Sequence, residues 1–238
     1  FIKMEKLSEN IIKSFDTKVK FFEITTFSKK LKELKGKIWL DGNSCPLAIK
    51  DLLSSKKTKF LNNADPVLSI KSIKNKVEIR NNRIAHRKDG LAMINLIYWI
   101  EKNKTRKISE LDIIELLAEL RKKATNYFGP SFDTICGSGP NGAIIHYRAN
   151  LETNRIIKSG DLILIDSGGQ YLEGTTDITR TIGFGKINYL KQKHYTLVLK
   201  GMIAVSKLKW PIGLSGKDLD SIARYHLWQE NLDYDHGT

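Results

Sequence analysis

Asp166 and Asp177, 11 residues apart in the stretch 161–181 (DLILIDSGGQYLEGTTDITRT), are the residues of this chain best placed to do chemistry. The stretch opens with the apolar run Leu162, Ile163, Leu164, Ile165. It then passes Gly168, Gly169 and Gly174 and resumes in the β-branched run 175–181. That pattern predicts two strands joined by a glycine-bearing turn, each strand carrying one carboxylate. Because strand side chains alternate between faces, Asp166 shares a face with Leu162 and Leu164, and Asp177 shares one with Thr175, Thr179 and Thr181. Two buried carboxylates are then expected near each other, which costs on the order of several kcal/mol unless a positive charge lies between them. A divalent cation would supply it. Carboxylates beside threonine hydroxyls suit a hard or borderline ion such as manganese, magnesium, cobalt or zinc, and the stretch has no cysteine for a thiolate site. Aspartates beside glycines also serve as plain turn formers and caps, and the spacing alone leaves both readings open.

The same stretch, with GSGPNGAIIHYR at 137–148, resembles the catalytic domain of aminopeptidase P, the Xaa-Pro aminopeptidase branch of the pita-bread-fold metallopeptidases. The resemblance covers residues 67–238 and is most specific around Asp166 and Asp177. In that family both aspartates of DSGxQYxxGTTDxTRT bind metal, one chelating a single ion and the other bridging two. The resemblance therefore implies Asp166 and Asp177 as ligands of two divalent ions, manganese first, with zinc or cobalt as alternatives. By its residues alone, His146 reads as a structural histidine at a strand end. The resemblance makes it a substrate-orienting donor that can carry a proton near neutral pH. His236, in the closing HGT, matches a histidine that contacts substrate and does not bind metal. Arg148 and Arg180 read as structural partners of carboxylates. Position 202, a histidine in the family pattern, is Met202, which argues against a metal role for that helix.

The function implied is release of the N-terminal residue from peptides with proline second, so the partner is a proline-containing peptide. Two other readings stand beside it. A non-catalytic pita-bread protein binding nucleic acid or protein would be expected to lose the aspartates, which are kept here. A creatinase-like hydrolase would use the fold without metal, against the wording DSGGQY and GTTDITRT. In the family, HGT is followed by a glycine and a metal-binding histidine, then by two glutamate ligands on later strands. Three of five expected ligands thus fall outside 1–238. Phe1 is not an initiator methionine and no stop-like tail follows Asp235, so both ends read as cut. The chain alone is expected to be inactive or to bind metal weakly, and to be poorly soluble with a sheet left uncovered. The native metal, the preferred N-terminal residue and homodimer formation by the full-length protein are left open.

The elements that must position these residues read as α/β (α+β). With 238 residues, 41% hydrophobic and 28% charged, the chain has room for one large globular domain or one plus part of another. No run is apolar enough for a signal peptide or membrane span, and two cysteines, Cys45 and Cys136, make a reducing cytoplasm the default. A net charge of +14 invites nucleic acid, but the lysines are spread along the chain, and clusters such as Lys29, Lys30, Lys32 and Lys35 fit a solvated helix face. Neither nucleic acid nor membrane is therefore expected as a partner.

Helix 27–34, strand 37–40, a turn at Asp41-Gly42-Asn43, helix 45–53 and strand 59–61 alternate. Residues 1–64 are thus expected to be the C-terminal part of an α/β domain resembling the creatinase N-terminal one. Asp65-Pro66 marks the boundary, and 65–238 is expected as the pita-bread catalytic domain, incomplete at its C-terminus. Its first helix is predicted to bury Ile84, Leu91, Ile94, Ile97 and Tyr98, with Trp99 at the edge and His86 structural or at the surface. A capping box at 109–112 predicts a second helix burying Leu111, Ile114, Leu117 and Ala118. Strands 132–136 and 143–147 are expected to pair around the turn 137–142, which lacks the lysine and following helix of a phosphate loop. Helices 189–208 and 217–230 follow the aspartates. Two helices, strands and two helices again match the pseudo-twofold plan of the pita-bread fold.

Overall fold

Short helices and two strands alternate at the start of the chain in the computed structural model, whose description covers residues 1–55 and 57–237. Glu9–Ser14 (α1) and Phe27–Glu33 (α2) precede the strand Gly36–Leu40 (β1). Leu47–Leu53 (α3) leads to Thr58–Asn62 (β2), which runs parallel to β1 from the pair Gly36 and Thr58 to the pair Leu40 and Asn62. Parallel strands need a crossover, and α3 lies on it. Pro66–Ser72 (α4) is capped by Asp65, which accepts from the Val67 N–H at 2.8 Å, while Pro66 fills a first-turn position where no N–H is needed. These elements form one unit, Phe1–Lys74, and a second begins at Asn75.

In the second unit, a capping box of Asn75 and Glu78 opens the 27-residue helix Lys76–Lys102 (α5). Its buried face is Ala85, Asp89, Ala92, Met93, Leu96 and Ile100. The stripe expected through Leu91, Ile94 and Tyr98 is corrected, since these are 60%, 63% and 63% exposed. Small residues let a helix approach its neighbours closely, so the first half of the inward face runs through Ala85, Asp89 and Ala92 before Met93, Leu96 and Ile100 take it over, while Leu91, Ile94 and Tyr98 point away. Trp99 and Ile97 do pack at the edge of the core. Glu110–Lys122 (α6) starts with the expected capping box, Ser109 with Asp112. It buries Glu110, Ile113, Leu117 and Arg121, leaving Leu111, Ile114 and Ala118 half-buried.

Tyr127–Pro130 (β3), Ile135–Ser138 (β4), Leu162–Ser167 (β5), Gly169–Tyr171 (β6), Gly174–Thr175 (β7) and Ile178–Gly183 (β8) make two three-stranded sheets, β4-β5-β8 and β3-β6-β7. The single hairpin expected over 161–181 is therefore split. β5 pairs antiparallel with β8, and the residues between fold into their own ladder beside β3. Gly168 sits at the change of sheet, where an added Cβ would come within 2.0 Å of the Thr176 carbonyl oxygen. The pairing expected between 132–136 and 143–147 does not form. β4 finds its partner in the longer apolar strand β5, and the chain then enters a 3-10 turn, Gly139–Ala143, with Pro140 in its first turn.

Tyr189–Lys207 (α7) and Gly216–Trp228 (α8) pack together, so closely that a Cβ on Gly201 would lie 2.1 Å from the Ala223 carbonyl oxygen. The core lies between α5, α6 and one face of β4-β5-β8, through Met93, Leu96, Ile113, Leu117, Ile163 and Ile165. Among the described residues, no helix is long and apolar enough to cross a membrane.

Candidate active site

Along β5 the odd-numbered residues Ile163, Ile165 and Ser167 are buried, and Leu162, Leu164 and Asp166 are half-buried on the other face. Asp166 stands opposite Thr179 on β8, whose Oγ1 donates to Asp166 Oδ1 at 2.8 Å. Asp177, expected on a strand, instead occupies the link between β7 and β8 and is exposed. The neighbouring Thr176 turns inward there, donating to Asp89 Oδ2 at 2.6 Å, and so directs residue 177 outward. The carboxyls of Asp166 and Asp177 are within hydrogen-bonding reach. Although the residue as a whole is exposed, its carboxyl is partly withdrawn from water against Asp166. This first, and then the Asp166 charge and hydrogen bond, raise the pKa of Asp177, while His86 pulls it the other way.

Behind this pair lies a buried ionic network that the sequence reading missed. Arg121 donates through Nε to Asp89 Oδ1 at 2.5 Å, and through Nη2 to Asp89 Oδ2 at 3.1 Å and Ser167 Oγ at 3.0 Å. Tyr171 donates to Asp89 Oδ1 at 3.0 Å. Ser167 and Thr176, each adjacent in sequence to one aspartate of the pair, are thus tied to one fork of α5 and α6. Two signals were available. Asp89 lies three residues after His86 on one helix face, and Arg121 follows Leu117 at the spacing of a buried stripe.

A cleft of about 600 Å³ is lined by Asp166, Thr179, Ile144, Ile145, His146 and His236, among others. His146 is in a turn after the 3-10 segment, at φ 55°, and not at the end of a strand as expected. Its Nε2 lies 3.3 Å from Nε2 of His236, with the ring centroids 5.2 Å apart and the planes at 83°. Arg224 on α8 holds the segment carrying His236, donating to the His236 carbonyl at 2.6 Å and to Asp233 Oδ1 at 2.7 Å. The structure thus gathers Asp166, His146 and His236 in one cleft, with Asp177 reaching it through Asp166. Thr238, the last residue of HGT, lies outside the described residues. Arg148 pairs with Asp133, whereas Arg180 donates to the Thr179 carbonyl at 2.7 Å. His86 is exposed, with Nδ1 2.9 Å from the Asn82 carbonyl oxygen. Among the described residues no three His, Cys, Asp or Glu side chains converge to hold a metal ion.

The family model for metallopeptidase family M24 matches residues 80–238, and that for the creatinase/prolidase N-terminal domain matches residues 1–78. The probable Xaa-Pro aminopeptidase P of Aspergillus fumigatus is 47% identical over 176 residues, which is 73% of this chain and 27% of that protein. That of Paracoccidioides brasiliensis is 38% identical over 254 aligned positions, covering 100% of this chain and 41% of the relative. The chain therefore spans well under half the length of these relatives. Among solved structures, the X-prolyl aminopeptidase of Caenorhabditis elegans, described as a cytosolic enzyme with a di-nuclear active site, superimposes with a TM-score of 0.90 at 29% identity. That match covers 100% of this chain and 40% of the other. The prolidase of Pyrococcus horikoshii gives a TM-score of 0.69 at 29% identity over 88% of this chain and 58% of its own.

Proposed function

The chain belongs to metallopeptidase family M24, and from that membership we propose that the intact protein is a metal-dependent aminopeptidase cleaving after an N-terminal residue that precedes proline. The observation that carries this is the cleft in which Asp166, His146 and His236 meet, with Asp177 against Asp166. The two carboxylates fit a metal. They form a hard-oxygen pair held within hydrogen-bonding reach, and partial burial together with the neighbouring Asp166 charge raises the pKa of Asp177, a combination that a cation between them would relieve. Asp166 and Asp177 would hold two divalent ions, manganese before zinc or cobalt, with further ligands from the rest of the protein. Such ions polarise a scissile carbonyl and make water a stronger nucleophile near neutral pH.

The chain's own residues do the rest. Thr179 fixes Asp166 through its hydroxyl, and His146 and His236 offer imidazole nitrogens to the peptide. Ile144 and Ile145 give the cleft an apolar wall suited to a proline ring. Residues 65–238 are read as part of the catalytic domain and 1–64 as part of the α/β domain before it. The similarity to a relative described as cytosolic and di-nuclear supports a cytoplasmic location and two ions here.

The test is to assay the full-length protein on an Xaa-Pro peptide with manganese and again after chelation. Cleavage confined to the metal-loaded protein and lost in Asp166→Asn is expected. Cleavage that survives chelation would favour a metal-independent hydrolase, and no cleavage with metal would leave the binding-protein reading.

A further inference from the structure

Glu110, at the start of α6, is fully buried, and the groups donating to it are neutral. Its Oε1 accepts from the Ser138 N–H at 2.7 Å and the Ser138 hydroxyl at 2.9 Å. Its Oε2 accepts from the Tyr147 hydroxyl at 3.0 Å and the Arg155 N–H at 3.1 Å, and Asn141 Nδ2 reaches both oxygens at 3.1 Å. A carboxylate removed from water is tolerated only when its lone pairs are taken up in this way. The donors mark out one segment. Ser138 ends β4, Asn141 lies in the 3-10 turn, and Tyr147 directly follows His146. Glu110 therefore fastens residues 138–147 at both ends and in the middle. That segment carries Ile144, Ile145 and His146 into the cleft. His146 also holds φ 55°, a left-handed conformation that a non-glycine residue keeps only when its surroundings over-determine it.

We propose that Glu110 is a positioning residue for the peptide substrate, clamping segment 138–147 so that His146 and the Ile144–Ile145 wall face the cleft. The proposal rests on the peptidase reading above and deepens it. Glu110 itself lines no part of the cleft and touches no reacting atom.

The experiment is a double-mutant cycle in the full-length protein between Glu110→Gln and His146→Ala, read as kcat and KM on an Xaa-Pro peptide, with bound manganese per chain measured alongside. Glu110→Gln is expected to lower kcat/KM by about a hundredfold, chiefly through KM, with the manganese content unchanged. In the His146→Ala background the same substitution is expected to add little, because the residue it positions is gone. Equal losses in both backgrounds, or loss of manganese in step with activity, would overturn the proposal. If Glu110→Gln does not fold, Tyr147→Phe removes one donor and keeps the ring, and should show the same coupling at smaller size. Crystal structures of wild type and variant give a readout independent of turnover. His146 leaving the left-handed region in the variant supports the proposal, and an unmoved His146 sinks it. A wild-type protein that cleaves nothing counts against the peptidase reading alone, and the crystallographic arm then decides the positioning.

Discussion

Asp233 accepts hydrogen bonds from Trp228 Nε1 at 3.0 Å, Arg224 Nη1 at 2.7 Å and the Tyr234 N–H at 2.8 Å, and these donors hold its carboxyl down at about 2. A folded value below the ordinary 3.8 means that the folded state binds this proton less readily than the unfolded chain does. The stabilisation is thus fully present above 3.8 and is lost as pH falls through about 2. Because Arg224 also holds the His236 carbonyl, the segment bearing that histidine is expected to loosen over this acid window. The indole N–H resonance of Trp228 should shift there, and Asp233→Asn should remove that shift. A Trp228 signal constant down to pH 2 would contradict this clamp. At this scale the sequence was uneven. Asp166 and Asp177 were visible because apolar and β-branched runs rarely carry such residues, although only Asp166 lies on a strand. His146 became a candidate only through the resemblance, since nothing in GAIIHYR announces a left-handed turn. Asp233 could not be read, because its partner Arg224 lies nine residues back on the preceding helix.

Helices α5 and α6 hold the two aspartates through Asp89 and Arg121, which are 0% and 1% exposed. Removing one partner of a buried pair leaves an uncompensated charge, so Asp89→Leu or Arg121→Met alone is expected to cost about 3–5 kcal/mol. The double variant should be closer to wild type than either single one, since two apolar groups leave no charge stranded. Urea denaturation of the four proteins measures this, and additive losses would show that the pair is not a unit. The elements themselves were largely legible. The capping box of α6 lay in plain sight, and the alternation along β5 placed Asp166 on the correct face. The inward face of α5 was not, because reading by size selects Leu91, Ile94 and Tyr98, whereas packing selected Ala85, Asp89 and Ala92. The separate ladder β6-β7 was hidden for a related reason. It depends on the close approach of Gly168 to the Thr176 carbonyl, a contact that no local pattern encodes.

For the molecule as a whole, the alternating elements and the specific motifs were enough to reach the fold, while the ligand set implied by the resemblance is not met within the described residues. The curated relatives quoted above are matched over 27% and 41% of their length. Within the described residues, Asp166 and Asp177 have no third His, Cys, Asp or Glu converging with them. A divalent ion held by two carboxylates keeps most of its water, and each missing ligand, like each missing supporting group, weakens the site. The 238-residue chain is therefore expected to bind manganese on the order of a hundredfold or more weakly than the full-length protein. Titration calorimetry on both at one pH tests this, with Asp177→Asn in the short chain expected to remove the residual binding. Equal affinity in the two proteins would mean that residues 1–238 already contain the whole site, and that the ligand set read from the resemblance is wrong.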